Sequence, residues 1–163
     1  IKGYVFDETD VYKAVKNADA VISILGGAFD GTDKSRSLGI KNIIKQMEKA
    51  GVKRIVALGG MGVLNANAGH YGMDTPEYPE KYKAVGQEHL LAYLFLQASS
   101  LDWTFVCPPA ILNEEGNRKY TTNADYLPQP DLHEIACGDL ADNMLAELTE
   151  KKYVHHRVGI SRL

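Results

Sequence analysis

The chain alternates short, continuous apolar runs with longer segments in which apolar residues recur at helical spacing. The runs at 20–25, 54–59 and 103–107 are bounded by turn-forming residues, which is typical of strands covered on both faces. Between them, residues 33–50 and 80–99 repeat apolar side chains every three to four positions, which predicts amphipathic helices. Strands that alternate with helices predict an α/β fold built on a parallel sheet.

The remaining segments give weaker patterns. Residues 10–16 and 138–149 predict a short and a long helix, and short strands are expected at 119–122 and 155–160. Residues 61–80 are rich in Gly, Pro and Asn, which predicts a long surface loop. The buried face of the helix at 33–50 is expected to consist of its apolar residues, Leu38, Ile40, Ile43, Ile44 and Met47.

The three apolar runs all end in residues that stop a strand. The pairs are Gly26-Gly27, Gly59-Gly60 and Pro108-Pro109. Ligands of open α/β sheets bind outside the carboxyl ends of the strands, where glycine lets a ligand approach the backbone. Glycine also simply ends strands, so each pair alone is weak evidence, but three such ends predict one crevice. The two prolines cannot extend the ladder, and we expect them to turn the chain and offer carbonyl oxygens.

Composition narrows the class of protein. The 163 residues are 45% hydrophobic and 24% charged, which fits one globular domain over residues 1–163. The net charge of −3 leaves no basic excess for binding nucleic acid. No apolar run approaches the ~20 residues of a membrane span, and no signal peptide is visible. We therefore expect a cytoplasmic monomer or homodimer without membrane or nucleic-acid partners, in which Cys107 and Cys137 are reduced.

Several kinds of catalytic site are missing from the sequence. It contains no GxGxxG, GxxGxxG or P-loop pattern between a strand and a helix. Its five histidines and two cysteines show no metal-ligand spacing, so no metal is expected. No serine stands in a nucleophile-elbow context. A Tyr-xxx-Lys acid/base pair is also disfavoured, because Gly86 occupies the fourth position after Tyr82. No catalytic residue is assigned.

Four segments carry a family resemblance that spans nearly the whole chain. They are "AVISILGG", "GIKNIIKQMEKAGVKRIVALGGMGVL", "YKAVGQEHLLAYLFLQASSLDWTFVCPP" and "HEIACGDLADNMLAELTEKKYVHHRVGIS". In this order they resemble the atypical short-chain dehydrogenases with an NAD(P)H-binding Rossmann domain. The strongest likeness is to the biliverdin-IXβ reductase/flavin reductase group and its NmrA-like relatives. The segment "LDWTFVCPP" is the most specific part.

The resemblance implies a Rossmann-like, doubly wound parallel sheet. Residues 1–7 and the helix after them are similar to the third strand and helix of that family. The sequence given thus lacks the N-terminal β-α-β-α portion, which in the family carries the GxxGxxG loop and a basic residue for the NADP 2′-phosphate. The implied cofactor is NADP or NAD, with NADP preferred.

The family's cofactor contacts fall on matching positions of this chain. They run from the adenine to the nicotinamide through Tyr4, Val5, Leu25, Gly26, Gly27, Ala28, Leu58, Gly59, Gly60, Cys107, Pro108 and Pro109. An acceptor over the nicotinamide is expected to contact Met61, Val63, Ala110 and Ile111. Three positions depart from the family: Tyr4 replaces a common Asp, Gly60 a serine of the flavin reductases, and Ala110 their histidine.

Three functions are compatible with these residues. The leading one is an NAD(P)H-dependent oxidoreductase that transfers hydride to a flavin, quinone or similar small apolar acceptor, since hydride transfer needs little side-chain chemistry. The alternative is an NmrA-like redox sensor that binds the dinucleotide without turnover. A nucleotide-sugar epimerase fits worst, because epimerases depend on the Tyr/Lys chemistry that this sequence lacks.

Overall fold

A computed structural model describes residues 1–67 and 69–163 of the chain. Its helices and strands, in chain order, are α1 (Glu8–Val15), β1 (Ala20–Ser23), α2 (Ile40–Ala50), β2 (Arg54–Leu58), β3 (Asn65–Asn67), β4 (His70–Tyr71), α3 (Lys83–Gln97), β5 (Asp102–Cys107), β6 (Ala110–Leu112), β7 (Tyr120–Ala124), β8 (Glu134–Ala136), α4 (Cys137–Glu150) and β9 (His156–Arg162). Among these residues no helix is both long and apolar enough to cross a lipid bilayer.

The central sheet has five strands in the order β1-β2-β5-β9-β7. The first four are parallel, and β7 pairs antiparallel with β9 at one edge. The predicted α/β class and Rossmann-like parallel sheet are therefore confirmed. The register aligns Ser23 with Ala57, and Ala57 with Phe105, so β1, β2 and β5 end at nearly the same level.

Helices cover both faces of the sheet, as the continuous apolar runs within the strands require. On one face, residues of α1, α2 and α3 pack with alternate residues of β2 and β5, among them Ile55 and Phe105. On the other face, α4 packs against the intervening residues, including Val56 and Val106. Alternation of side chains along each strand thus divides one apolar run between two hydrophobic layers.

The N-terminal residues differ from the expectation. Residues 1–7 form no strand, and residues 5 and 6 lie in a turn before α1. Asp7 ends this segment by capping α1, where its carboxylate accepts the N–H of Asp10 at 2.9 Å. A strand exists only where a neighbour pairs with it, and in the part of the chain described here residues 1–7 have no such neighbour.

The predicted helix at 33–50 consists of two parts. Ser35–Gly39 form a single π-helical turn, and the α-helix begins only at Ile40. A π turn holds more residues than an α turn, so residues within it are rotated around the axis relative to a continuous α-helix. Leu38, which was expected on the buried face, is consequently 46% exposed. The other four apolar positions are buried as predicted.

The segment 61–80 is more structured than a surface loop. It begins with a 3-10 turn at Met61–Val63, contains the antiparallel pair of β3 and β4, and has another 3-10 turn at Gly72–Asp74. Val63, Leu64 and Met73 are buried in the hydrophobic core. The sequence did not reveal that these three residues are buried, because the segment is rich in Gly, Pro and Asn and its apolar residues show no helical or strand periodicity.

Candidate functional site

The carboxyl ends of β1, β2 and β5 meet at one edge of the sheet, because these strands are parallel neighbours. We call this the strand-end edge and define it by the residues that end or follow the strands, 25–28, 58–60 and 107–109. In open α/β sheets this is the edge where ligands bind. Val5 joins it from the N-terminal segment, since its side chain and that of Leu25 both lie against Gly39. Tyr4 precedes Val5 and is exposed.

Most glycines of the strand-end edge are required by packing within the protein. A Cβ on Gly59 would lie 2.7 Å from the ring of Phe105, and one on Gly60 would lie 2.9 Å from the ring of His89. A Cβ on Gly27 would overlap the carboxylate of Asp33. Only at Gly26 would a Cβ meet nothing within 4 Å. Gly26 is therefore the one strand-end glycine that opens onto free space.

The loop after β1 is held in place by a buried arginine. Arg36 donates from its two terminal nitrogens to the carbonyl oxygens of Ala28 and Gly27, both at 3.0 Å. Hydrogen bonds from Ser35 hold the pKa of the Asp33 carboxyl below its usual range. These contacts fix the backbone of the loop. Nothing in the local sequence pattern indicates that Arg36, eight and nine residues further along the chain, binds these two carbonyl oxygens.

The proline corner after β5 is buried and partly hydrogen-bonded. The carbonyl oxygen of Pro108 accepts the N–H of Met61 at 3.2 Å, which ties the ends of β2 and β5 together. The carbonyl that was expected to face a ligand thus already has one partner. Burial raises the pKa of Cys107 to about 12, so its thiol is not a nucleophile at neutral pH. Cys107 and Cys137 are both free thiols.

The residues expected to contact an acceptor do not all lie at the surface. Ala110 and Ile111 are exposed at the start of β6, and Met61 is half-buried beside the proline corner. Val63, however, is completely buried, and its carbonyl oxygen accepts a hydrogen bond from Arg157 at 2.6 Å. Val63 belongs to the core, and we leave it out of the acceptor pocket. The polar segment around it made it look accessible in sequence.

His89 is a second residue that the sequence did not reveal. It lies in α3, and its ring packs against Gly60 of the strand-end edge. Burial, assisted by the positive charge of Arg36, lowers the pKa of His89 to about 4. The imidazole is therefore neutral at physiological pH. Its Nδ1 atom is buried, with no hydrogen-bond partner among the described residues.

The low pKa of His89 predicts a loss of stability in mild acid. The unfolded imidazole titrates near 6.5 and the folded one near 4, so between these values the unfolded state binds more protons. This contribution is complete above pH 6.5 and is lost as the pH falls to 4, with a total of about 3 kcal/mol. Urea unfolding followed by Trp103 fluorescence should show a smaller fall in stability between pH 7 and 4 for His89→Gln than for the wild type. An equal fall in both proteins would contradict the assignment.

Gly86 stands where a Tyr-xxx-Lys pair beginning at Tyr82 would have its lysine, and other side chains pack against it. A Cβ on Gly86 would lie 3.3 Å from the sulfur of Met73 and 3.4 Å from the hydroxyl of Tyr78. Burial raises the pKa of Tyr78, so this phenol is a poor proton acceptor at neutral pH. The described part of the chain also contains no cluster of His, Cys, Asp or Glu that could hold a metal ion.

The residues of the strand-end edge fit a ligand that lies along the backbone. Gly26 opens onto free space, and Ala28 beside it is exposed on a loop that Arg36 holds rigid. Two buried polar atoms without partners, Ser23 Oγ and His89 Nδ1, belong to residues next to this edge. The arrangement thus suits a long ligand that crosses the strand ends, such as a dinucleotide.

Comparison with known proteins identifies a family and a fold. Residues 1–151 match the family described as NAD(P)H-binding. The chain is 29% identical over 162 residues to the uncharacterized protein YwnB of Bacillus subtilis, and the match covers 92% of this chain and 74% of YwnB.

Solved structures with the same fold come from several bacteria. The "Putative exported protein" of Burkholderia pseudomallei has a TM-score of 0.86 at 29% identity, over 98% of this chain and 79% of that chain. The "putative NADH-flavin reductase" of Streptococcus pneumoniae has a TM-score of 0.84 at 23% identity, over 100% and 80% of the two chains. A short-chain dehydrogenase/reductase of Veillonella parvula in complex with NADP has a TM-score of 0.69 at 16% identity, over 99% and 71%. The latter two likenesses show the fold alone.

Proposed function

The chain belongs to the NAD(P)H-binding family, and we propose that the protein is an NAD(P)H-dependent oxidoreductase that transfers hydride to a flavin, quinone or similar small apolar acceptor. The observation that carries this proposal is the strand-end edge itself. Its backbone is open at Gly26, and its proline corner is buried. The neutral ring of His89 packs against it at Gly60. In the part of the chain that the structure describes, the edge holds no acid/base pair of the Tyr-xxx-Lys type.

NAD(P)H, when bound, supplies a hydride. The protein's own residues then have to position the acceptor and exclude water, which are the main requirements for hydride transfer. Gly26 and Ala28 would contact the cofactor backbone, and Gly60 and the Pro108-Pro109 corner would border its nicotinamide end. Met61, Ala110 and Ile111 would contact the acceptor. The proton that accompanies the hydride would come from solvent, since Cys107 and Tyr78 both hold their protons at neutral pH.

The test is oxidation of NADPH and NADH by the full-length protein, followed at 340 nm with FMN, FAD or menadione as acceptor. We expect oxidation that depends on the added acceptor and is faster with NADPH than with NADH. Oxidation that no flavin or quinone accelerates would contradict an oxidoreductase of this type.

A dinucleotide-binding redox sensor remains the second candidate. It is favoured by the protonation states of three residues: at neutral pH His89 is neutral, and Tyr78 and Cys107 hold their protons, so none of the three readily exchanges a proton with a substrate. Submicromolar NADPH binding in calorimetry without any acceptor-dependent turnover would support this candidate. An epimerase is disfavoured, because the space over Gly86 is filled by Tyr78 and Met73.

A further inference from the structure

Two exposed aromatic rings stand next to the strand-end edge. Phe29, in the loop after β1, is 60% exposed, and Tyr82, just before α3, is 40% exposed. Their ring centroids are 6.3 Å apart and their planes meet at 66°. The two rings thus form an open corner rather than a buried stack. Exposed large apolar side chains that lie in contact with each other are candidates for a ligand-binding surface.

Phe29 is positioned by the same arginine that fixes the loop. The guanidinium carbon of Arg36 lies 5.4 Å from the centroid of the Phe29 ring. Because Arg36 is buried and bound to the carbonyl oxygens of Gly27 and Ala28, it holds the ring in a fixed place. One face of Phe29 is thereby occupied by the cation. The exposed surface of the ring is left for another molecule.

Tyr82 is positioned by the contact between the loop and α3. Gly31, whose φ is +80°, packs closely against Ala84, where an added Cβ would lie 3.1 Å from the Ala84 Cβ. The ammonium group of Lys81 lies 4.8 Å from the Tyr82 ring centroid. The loop after β1 and the start of α3 therefore come together at the two rings.

The aromatic corner lies within reach of the proposed site of hydride transfer. Arg36, which lies over the Phe29 ring, also places its positive charge near the ring of His89 in α3. The ring of His89 contacts Gly60 of the strand-end edge. Phe29 directly follows Ala28 of the same edge. The corner is thus connected to Gly60 through Arg36 and His89.

We propose that the corner formed by Phe29 and Tyr82 binds the acceptor, and that the acceptor is a planar, fused-ring aromatic molecule. This proposal rests on the proposed oxidoreductase function. A planar molecule can stack on one ring and meet the edge of the other, and both are preferred aromatic geometries. A small aliphatic acceptor would gain little from such a corner. The corner would recognise the ring system of the acceptor, and this contact does not require the acceptor to carry a phosphate or a sugar.

The test measures ring binding separately from turnover. The probe is lumichrome, the fused-ring system of a flavin without its ribityl chain, and its dissociation constant is measured by fluorescence titration of the full-length protein. We expect Phe29→Leu and Tyr82→Leu each to raise this constant about tenfold. Tyr82→Phe and Phe29→Trp keep the rings and should change it less than threefold. The affinity for NADPH should stay the same in all four variants.

The control is Tyr12→Leu. Like Phe29 and Tyr82, Tyr12 has a cation over its ring, the Lys49 ammonium, but it lies on α1. This variant should leave lumichrome binding unchanged. Equal lumichrome affinity in the wild type and both leucine variants, or no binding to the wild type, would overturn the proposal. So would an equal loss in Tyr82→Phe and Tyr82→Leu, which would assign the effect to the hydroxyl group. The titration contains no NADPH, so it tests the corner independently of turnover. Lumichrome binding combined with no acceptor-dependent NADPH oxidation would support the corner and contradict only the proposed oxidoreductase function.

Discussion

Replacing Glu147 by leucine is expected to destabilise the protein by about 3–5 kcal/mol. Glu147 in α4 is the carboxylate partner of Arg54, the first residue of β2, and both side chains are almost completely buried. The carboxylate also accepts the backbone N–H of Tyr153 at 3.1 Å. Burial lowers the pKa of Arg54, and the charge of Glu147 opposes this change. Glu147→Leu leaves the buried guanidinium without its principal counter-charge, which is unfavourable in an environment of low polarity.

Urea unfolding measured by the fluorescence of Trp103, the only tryptophan, checks this expectation. The midpoint should fall while the slope stays constant. The double variant Arg54→Met/Glu147→Leu removes both charges and should recover most of the lost stability. As a matched control, Lys45→Met breaks the exposed pair with Glu8 and should leave the midpoint unchanged. If the double variant is as unstable as Glu147→Leu, then the unpaired charge is not the cause.

Replacing Gly26 by leucine is expected to weaken NADPH binding by the full-length protein at least 100-fold, equivalent to about 2.7 kcal/mol, without changing stability. A Cβ at Gly26 meets nothing within 4 Å, so the fold accepts a side chain there. The leucine would then occupy the space that we assign to the cofactor. Calorimetric titration with NADPH measures the loss, and the urea midpoint verifies that the variant is folded.

The matched control for Gly26→Leu is Ala141→Leu, which adds the same apolar bulk at an exposed position of α4. It should leave both NADPH binding and the urea midpoint unchanged. Unaltered NADPH affinity in Gly26→Leu would show that the cofactor does not lie along the end of β1. The assignment of residues 25–28 to the cofactor site would then have to be abandoned.

The sequence predicted the architecture well, because the relevant signals are local. Continuous apolar runs marked β1, β2 and β5, and helical spacing marked α2 and α3, so the parallel sheet followed from the order of elements. The family resemblance supplied the cofactor class, which the match to the NAD(P)H-binding family confirms. The assignment of individual residues to cofactor and acceptor stays a prediction.

Residues whose roles depend on distant partners were not predictable. Arg36 binds carbonyls that precede it in the chain, and His89 of α3 packs against Gly60, which ends the neighbouring strand segment. Val63 looked accessible in a polar segment but is held in the core by Arg157, which lies 94 positions later. Such contacts form only when the sheet and helices assemble, and no periodicity along the chain encodes them.

The sequence by itself therefore determined the sheet, its covering helices and the edge at which three strands end. Tertiary structure alone decided what each residue at that edge does. Three strand-end glycines serve internal packing, and only Gly26 faces free space. Phe29 and Tyr82 meet in an open corner although they are 53 positions apart in the chain. The physical reason is that strand and helix patterns follow from burial every second or every third to fourth residue, whereas a binding site depends on which side chains from different elements come into contact.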